Sequence, residues 1–258
     1  MKAVQKQTAI EVRSLRKSFA GAQGRYQVLD GVALSIAAGE FVSLLGPSGG
    51  GKSTLLNILA GLDEPDAGSA HVLGHPPGSH APIAYMQQKD LLLPWRSLWD
   101  NILIGPELHS RAERRRLEAS ARDLLHEFGL ERFADAWPAQ LSGGMRQRAA
   151  LLRTLLCEQP ILLLDEPFGA LDAITRGRLQ QMLLRVWREF GKTVLLVTHD
   201  VEEALLLSHR VIVLSGMPGH VLAEYPVPLP HEARAESPEL LRMRGRILRS
   251  LEGPDAQP

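Results

Sequence analysis

Phe41-Val42-Ser43-Leu44-Leu45-Gly46-Pro47-Ser48-Gly49-Gly50-Gly51-Lys52-Ser53-Thr54 joins an apolar run to a glycine-rich loop and then to a second apolar pattern. Gly46–Thr54 fits G-x-x-x-x-G-K-[ST], a loop that cradles phosphates when a strand leads in and a helix leads out. Both flanks meet that condition: Phe41–Leu45 reads as a strand and Ser53–Ala60 as a helix. Glycines let the backbone curl so that successive N–H groups point at phosphate oxygens. The helix N-terminus adds positive potential. Lys52 can reach the β- and γ-phosphates of a nucleoside triphosphate, and the Ser53 hydroxyl can ligate Mg²⁺. A glycine-rich turn without a ligand would not require this lysine, this hydroxyl and this frame together.

Outward from that loop, short apolar runs alternate with longer helical patterns, the signature of a parallel sheet covered by helices. Ile161–Leu164, Thr193–Val197 and Val211–Leu214 are continuous and apolar, as strands buried on both faces should be. Met145–Leu156 reads as a helix stopped ahead of Pro160, and Arg176–Phe190 as one stopped at Gly191. The expected fold class is α/β, a P-loop NTPase (RecA-like) core. The chain as far as Glu40 reads as short antiparallel strands, a small β subdomain. Ser110–Phe133 is charged and helical, so a helical subdomain is expected from about Pro94 to Trp137, inserted into the core. The basic stretch Arg111–Arg116 could meet anionic partners, but it reads first as a solvated helix face. The nucleotide-binding domain is expected to span 9–230. The tail, 231–258, carries a short helical pattern at Pro238–Leu251, and Glu252–Pro258 is expected to be disordered.

Composition narrows the function. The 258 residues hold 29 basic and 29 acidic side chains, so a basic footprint for nucleic acid is absent. Cys157 is the single cysteine, so no intrachain disulfide can form, which fits a reducing compartment. Met1–Ile10 has no apolar core of the kind a secretory signal carries. Leu91–Leu93, Ile161–Leu164 and Ala204–Leu207 are the richest apolar runs. Each is far too short for a helix that crosses a bilayer. A membrane process would therefore need another chain for its span.

Ile161–Leu164 ends in Asp165-Glu166. Ligands of open parallel sheets bind at the carboxyl ends of strands. Asp165 is thus expected near the phosphate loop, holding Mg²⁺ directly or through water. Glu166, one step on, is placed to orient an attacking water or take its proton, which suits phosphoryl transfer. His199 follows another strand and could contact the γ-phosphate or that water. Leu141-Ser142-Gly143-Gly144 opens the helix at Met145; Ser142 is a candidate N-cap and the glycines expose N–H groups at the positive helix end. An ordinary capped helix would look the same. Beside a complete phosphate cradle, it suggests a second anion site serving a nucleotide held by a partner subunit.

In this order, these motifs resemble the nucleotide-binding subunits of ATP-binding cassette transporters over residues 9–220. The resemblance implies that Ser142, Gly143, Gly144 and Met145 belong to the family signature, which touches ATP in trans. It implies that Asp165 is the metal-site aspartate, Glu166 the catalytic glutamate and His199 the switch histidine. Ala170-Leu171-Asp172 matches the loop that touches the opposite active site. Gln88 matches the glutamine that senses Mg²⁺. Phe19 fits the aromatic that stacks on adenine; Tyr26 is the alternative, because the Gly21–Gly24 insertion blurs the alignment. The implied cofactors are ATP and Mg²⁺. The implied partners are a second copy, head to tail, and a permease dimer whose helices dock near Gln88. The apolar loop Leu91-Leu92-Leu93-Pro94-Trp95 suits either core burial or that docking.

Leu92–Trp95, Thr198–Ala204 and Met217-Pro218-Gly219 look most like the nitrate/sulfonate/taurine importer group, whose members act with a substrate-binding protein. Some relatives carry pyrimidine precursors of thiamine. The group match implies a peripheral place on the cytoplasmic face of the inner membrane. Gly50 stands where that group often has Cys, a change expected to be harmless in a backbone cradle. Gln87 stands where an aromatic is frequent before Gln88, which leaves either glutamine as the functional one. The rivals are a soluble ATPase of the same fold acting on DNA or ribosomes and a small-molecule kinase. The first usually carries tandem cassettes, coiled-coil insertions or basic arms, absent here. The second would leave Leu141–Met145 and His199 unexplained.

Overall fold

The computed structural model describes residues 7–21, 24–78, 81–234 and 237–252. Expectations for residues 1–6, for the insertion at 22–23 and for the end at 253–258 lie outside the described residues. In chain order the strands are β1 (Thr8–Gly21), β2 (Gly24–Ala37), β3 (Phe41–Leu45), β4 (Ala67–Val72), β5 (Ile83–Met86), β6 (Ile161–Asp165), β7 (Thr193–Val197), β8 (Arg210–Leu214) and β9 (Val221–Pro226). The helices are α1 (Lys52–Leu59), α2 (Leu98–Ile102), α3 (Arg111–Glu127), α4 (Gly143–Leu155), α5 (Ala173–Phe190), α6 (Val201–Leu207) and α7 (Pro238–Glu252).

The apolar runs form one six-stranded sheet in the order β5-β6-β7-β3-β8-β9. Its first five members pair in parallel and β9 closes the edge antiparallel to β8. Every residue of β3, β6 and β7 is buried, as continuous apolar strands covered on both faces must be. Their side chains alternate between two cores. Phe41, Leu162, Leu164, Val194 and Leu196 meet α4 and α5, while Val42, Leu44, Leu163, Leu195 and Val197 meet α1 and the second sheet. That second sheet is antiparallel, in the order β2-β1-β4.

The short strands expected ahead of Phe41 are instead two long ones, each of 14 residues. Bulges explain the difference: register shifts fall between Val12 and Leu15 and again toward Ser18, with Ser14 at φ 45°. Bulges break the apolar alternation in the sequence without ending the pairing. Between Met86 and Ile161 the described residues carry no strand; α2, α3 and α4 lie in that stretch. Arg114 and Arg116 pair with Glu118 and Glu158 on an exposed face. The tail carries α7, which runs one position past the helical pattern expected there, and it packs Leu240, Met243 and Ile247 against α6 and β8.

Arg234 ties this tail to the core. It is 1% exposed. Its guanidinium donates to Leu205 O (3.1 Å), Leu206 O (3.0 Å), Ser208 O (2.8 Å) and Leu229 O (2.9 Å). The last carbonyls of a helix lack partners within it, so Arg234 caps α6 from outside. Arg234→Met is expected to lower the unfolding free energy by about 3 kcal/mol, because several buried acceptors lose their donor at once. A urea denaturation midpoint equal to wild type would contradict this.

Candidate functional site

Sheet order builds the site. β3 lies beside β7, and β7 beside β6, which pairs with β5. The carboxyl ends of these parallel strands therefore open on one edge, delivering the phosphate loop, His199, Asp165-Glu166 and Gln88 to one place. A cleft of about 290 Å³ lies there, lined by Ser48, Gly49, Lys52, Ser53, Gln88, Asp165 and Glu166 among others. That is the low end for small-molecule sites, enough for a polyphosphate with its nucleoside projecting outward. A wider groove of about 660 Å³ lies between α3, α4 and α5. It has none of this chemistry.

Two loop glycines have positive φ, 80° at Gly49 and 83° at Gly51, where Gly51 caps α1. Gly50 is held by crowding instead. A Cβ there would stand 2.7 Å from the Ser215 carbonyl oxygen. Gly50 is thus fitted to the chain's own 215–219 turn. Lys52 is 7% exposed, and its ammonium donates to Gly46 O and Pro47 O, both at 2.8 Å. Burial holds that ammonium below its usual range, opposed by Glu166 and Asp165. Burial pushes the Asp165 carboxyl up, and the Ser53 hydroxyl opposes this by hydrogen-bonding it.

Glu166 follows the end of β6 with φ 49°. That is an uncommon backbone state for a residue with a Cβ. Its surroundings over-determine it. Its N–H donates to Val197 O (2.9 Å), and its carbonyl accepts from Gln147 Nε2 (2.9 Å). Its Oε2 accepts from Gln88 Nε2 at 3.2 Å, and His199 Nδ1 stands 3.3 Å from Oε1. Gln88, not Gln87, lines the cleft. His199 lies two positions past the end of β7, beyond Thr198.

Other expected residues stand elsewhere. Ser142–Met145 do not line the cleft. Ser142 caps α4, accepting from the Met145 N–H at 3.3 Å, and Ser142 and Gly143 are exposed. Asp172 caps α5 through Thr175 N–H (3.0 Å), and that bond holds its carboxyl below the usual range. Phe19 and Tyr26 face each other across β1 and β2 with ring centroids 6.2 Å apart, and neither lines the cleft. In the loop after Gln88, Leu92 is buried at 7% exposure while Leu91 and Trp95 stand out at 49% and 67%. Both readings of that loop have a residue to carry them.

Sequence reading missed the groups that brace this site. Gln147 reaches Glu166 from α4. Arg146 pairs with Asp90 (3.1 Å), and Arg153 donates to Leu91 O and Asp90 O (2.8 and 2.7 Å). α4 thus grips the loop after Gln88. Polar residues on an otherwise apolar helix face were the available signal.

The donor atoms of Ser53, Asp165 and Gln88 are hard oxygens, which fits Mg²⁺. Among the described residues no cluster of three or more His, Cys, Asp or Glu could form a metal cage. A cation here would complete its shell with phosphate oxygens and water, as Mg²⁺ usually does.

Comparisons agree with the geometry. The sequence profile of the ABC transporter family matches residues 29–169. The aliphatic sulfonates import ATP-binding protein of Rhizobium johnstonii is 45% identical over 248 residues, 96% of this chain and 87% of that protein. The protein of the same description from Delftia acidovorans is 44% identical, covering 94% of each. A dimeric bacterial ABC transporter cassette superposes with TM-score 0.77 at 34% identity, covering 86% of this chain and all of that one. A dimeric post-hydrolysis state of that cassette, bound to ADP and phosphate, superposes with TM-score 0.76 at 32% identity over the same shares. On its strand-end site, its sequence and its fold, the chain belongs to the ABC transporter family as one of its ATP-binding, ATP-hydrolysing subunits.

Proposed function

We propose that this chain powers an importer of small anionic nutrients, of the aliphatic sulfonate type, by hydrolysing ATP between two copies of itself beneath a separate permease dimer. The observation that carries the mechanism is the division of its anion-binding elements. Ser48, Gly49 and Gly51–Thr54 line the cleft with Asp165 and Glu166, while the exposed N-terminus of α4 is not part of its lining. Within one chain Ser142 is not among the residues that line the cleft. A head-to-tail second copy can bring its Ser142 there, and the dimeric relatives support that arrangement. The expected substrate class rests on relatives described as aliphatic sulfonate importers, and thiamine pyrimidines are the alternative. A partner substrate-binding protein and a peripheral position on the cytoplasmic face follow from the same reading. No described helix is long and apolar enough to cross a membrane.

In this mechanism the N–H groups of Ser48–Ser53 and the Lys52 ammonium hold the phosphates. Phe19 or Tyr26 supports the adenine. Ser53, Asp165 and Gln88 would hold Mg²⁺, which would supply positive charge to offset that of the phosphates. Glu166 orients a water whose oxygen bonds to the γ-phosphorus as the β–γ bridging bond breaks. The water's proton passes to the Glu166 carboxylate, and ADP and phosphate leave. His199 holds the Glu166 carboxylate and the γ-phosphate side. Gln88 links that carboxylate to the loop at Leu91–Trp95, where permease helices would dock. Asp172 meets the opposite site.

A sizing experiment tests the shared site. With ATP and Mg²⁺, Glu166→Gln is expected to elute as a dimer, and Glu166→Gln/Ser142→Arg as a monomer that still binds ATP. A doubly substituted protein that dimerises as readily would remove Ser142 from the interface. Reconstituted with its co-purifying permease, wild type is expected to drive uptake of an alkanesulfonate. Uptake of a thiamine pyrimidine instead would favour the alternative.

A further inference from the structure

Behind Glu166 and His199 lies a second, small cavity of about 30 Å³, with Arg176, Thr198, Asp200 and Glu203 also in its walls. That volume has room for about one or two waters, and its lining is polar enough to hold them. Glu203 is only 4% exposed. Its Oε2 accepts from Gln180 Nε2 at 3.3 Å, and the Thr198 hydroxyl donates to it as well. Arg176 crosses from α5 to α6. One terminal nitrogen donates to Leu171 O (3.1 Å) and the other to Asp200 Oδ2 (3.4 Å), while its Nε is buried with no hydrogen-bond partner. Asp200 in turn caps α6, accepting from the N–H groups of Glu202 and Glu203 at 2.9 and 3.2 Å.

This network joins two helix starts. Asp172 precedes α5 and His199 lies just ahead of α6, so each start carries a residue of the proposed dimer site. We propose that Glu203 and Arg176 are positioning residues for hydrolysis, tying the segment that bears His199 to the loop that bears Asp172 and so holding His199 against Glu166. The inference rests on the roles given above to Glu166 and His199.

The groups facing Glu203 are Gln180 and Arg176 from α5, Thr198 from the end of β7, and Asp200 from its own helix; Glu166 and His199 share the cavity. Thr198 and Gln180 donate to it, so an ionised carboxylate is the form that engages them. A protonated carboxyl would bring a further donor into a site already furnished with donors. Burial nevertheless pushes this carboxyl up to about 7, from an ordinary value of 4.5, with Asp200 adding to the rise and Thr198, Gln180 and Arg176 opposing it. Near neutral pH the brace therefore exists in both forms.

The test is Glu203→Gln, assayed for ATP hydrolysis from pH 6 to 8.5. Expected at pH 8 is a kcat about five- to tenfold below wild type, with KM for ATP within about twofold, because a misplaced catalytic group slows the chemical step without weakening phosphate binding. Wild type is expected to lose kcat as pH falls through about 7, and the variant to lack that step. Stability should move the opposite way. A folded-state value above the unfolded one means that this site's stabilisation is full below about 4.5 and is lost as pH rises through about 7. Glu203→Gln should therefore melt above wild type at pH 8, with the gap closing toward pH 5. Wild-type kcat and an unchanged pH profile would overturn the proposal, and so would a fall in kcat matched by an equal loss of ATP affinity. If Glu203→Gln fails to fold, Arg176→Gln, at a half-exposed position, must show the same fall in kcat at unchanged KM; an undiminished kcat there overturns it. An inert Glu166→Gln beside a fully active Glu203→Gln sinks only the brace. A normally active Glu166→Gln sinks the mechanism beneath it.

Discussion

Glu166→Gln is expected to bind ATP as wild type does and to lose steady-state hydrolysis by about two to four orders of magnitude, the range for removing a positioned general base. The substitution keeps the side chain's size and its acceptor oxygen, so the contact from Gln88 at 3.2 Å can persist. What it removes is the site for the water's proton and the negative charge beside His199. The backbone strengthens the expectation. A φ of 49° at a glutamate is retained against steric cost by bonds from Gln147 and to Val197. Such strain gathers where a side chain must be aimed. Phosphate release and equilibrium ATP binding, measured on one preparation, separate the two effects. Turnover at the wild-type rate would take Glu166 out of the chemistry.

Lys52→Ala is expected to lose ATP binding at low micromolar nucleotide. Truncating one partner of a buried charge pair costs about 2–5 kcal/mol, a factor of about 30 to several thousand in affinity. Lys52 is buried enough to qualify, and burial already holds its ammonium below the usual range. The structure adds a second cost. Lys52 donates to Gly46 O and Pro47 O, so its loss also unpins the loop whose N–H groups form the cradle. Calorimetric titration with ATP, alongside a thermal melt, distinguishes lost binding from lost folding. Wild-type affinity in a folded variant would make the phosphate-loop assignment wrong.

These expectations were legible early because their residues sit in local frames. Gly46–Thr54 needs only a strand before it and a helix after it, and β3 and α1 supply both within one position of the boundaries read from the sequence. β7 begins and ends where its apolar run does. Less was legible where pairing is irregular: bulges around Ser14 hid the full length of β1. Which of Gln87 and Gln88 reaches the cleft also waited on geometry: Gln88 lines it and donates to Glu166.

The phosphate cradle, the acidic strand end and the Ser142-capped helix are short-range patterns, each written in a few consecutive residues whose backbone needs are intrinsic. From them follow the α/β class and the nucleotide chemistry, and from the last of them the expectation of a second subunit. Contacts across long stretches of chain were settled only by folding. Gln88 meets Glu166, Gln147 braces Glu166 from α4, and Arg176 and Glu203 tie α5 to α6 because parallel strands in one order bring those ends together. No spacing along the chain encodes such meetings, since they depend on strand order and on which polar groups burial leaves needing a partner.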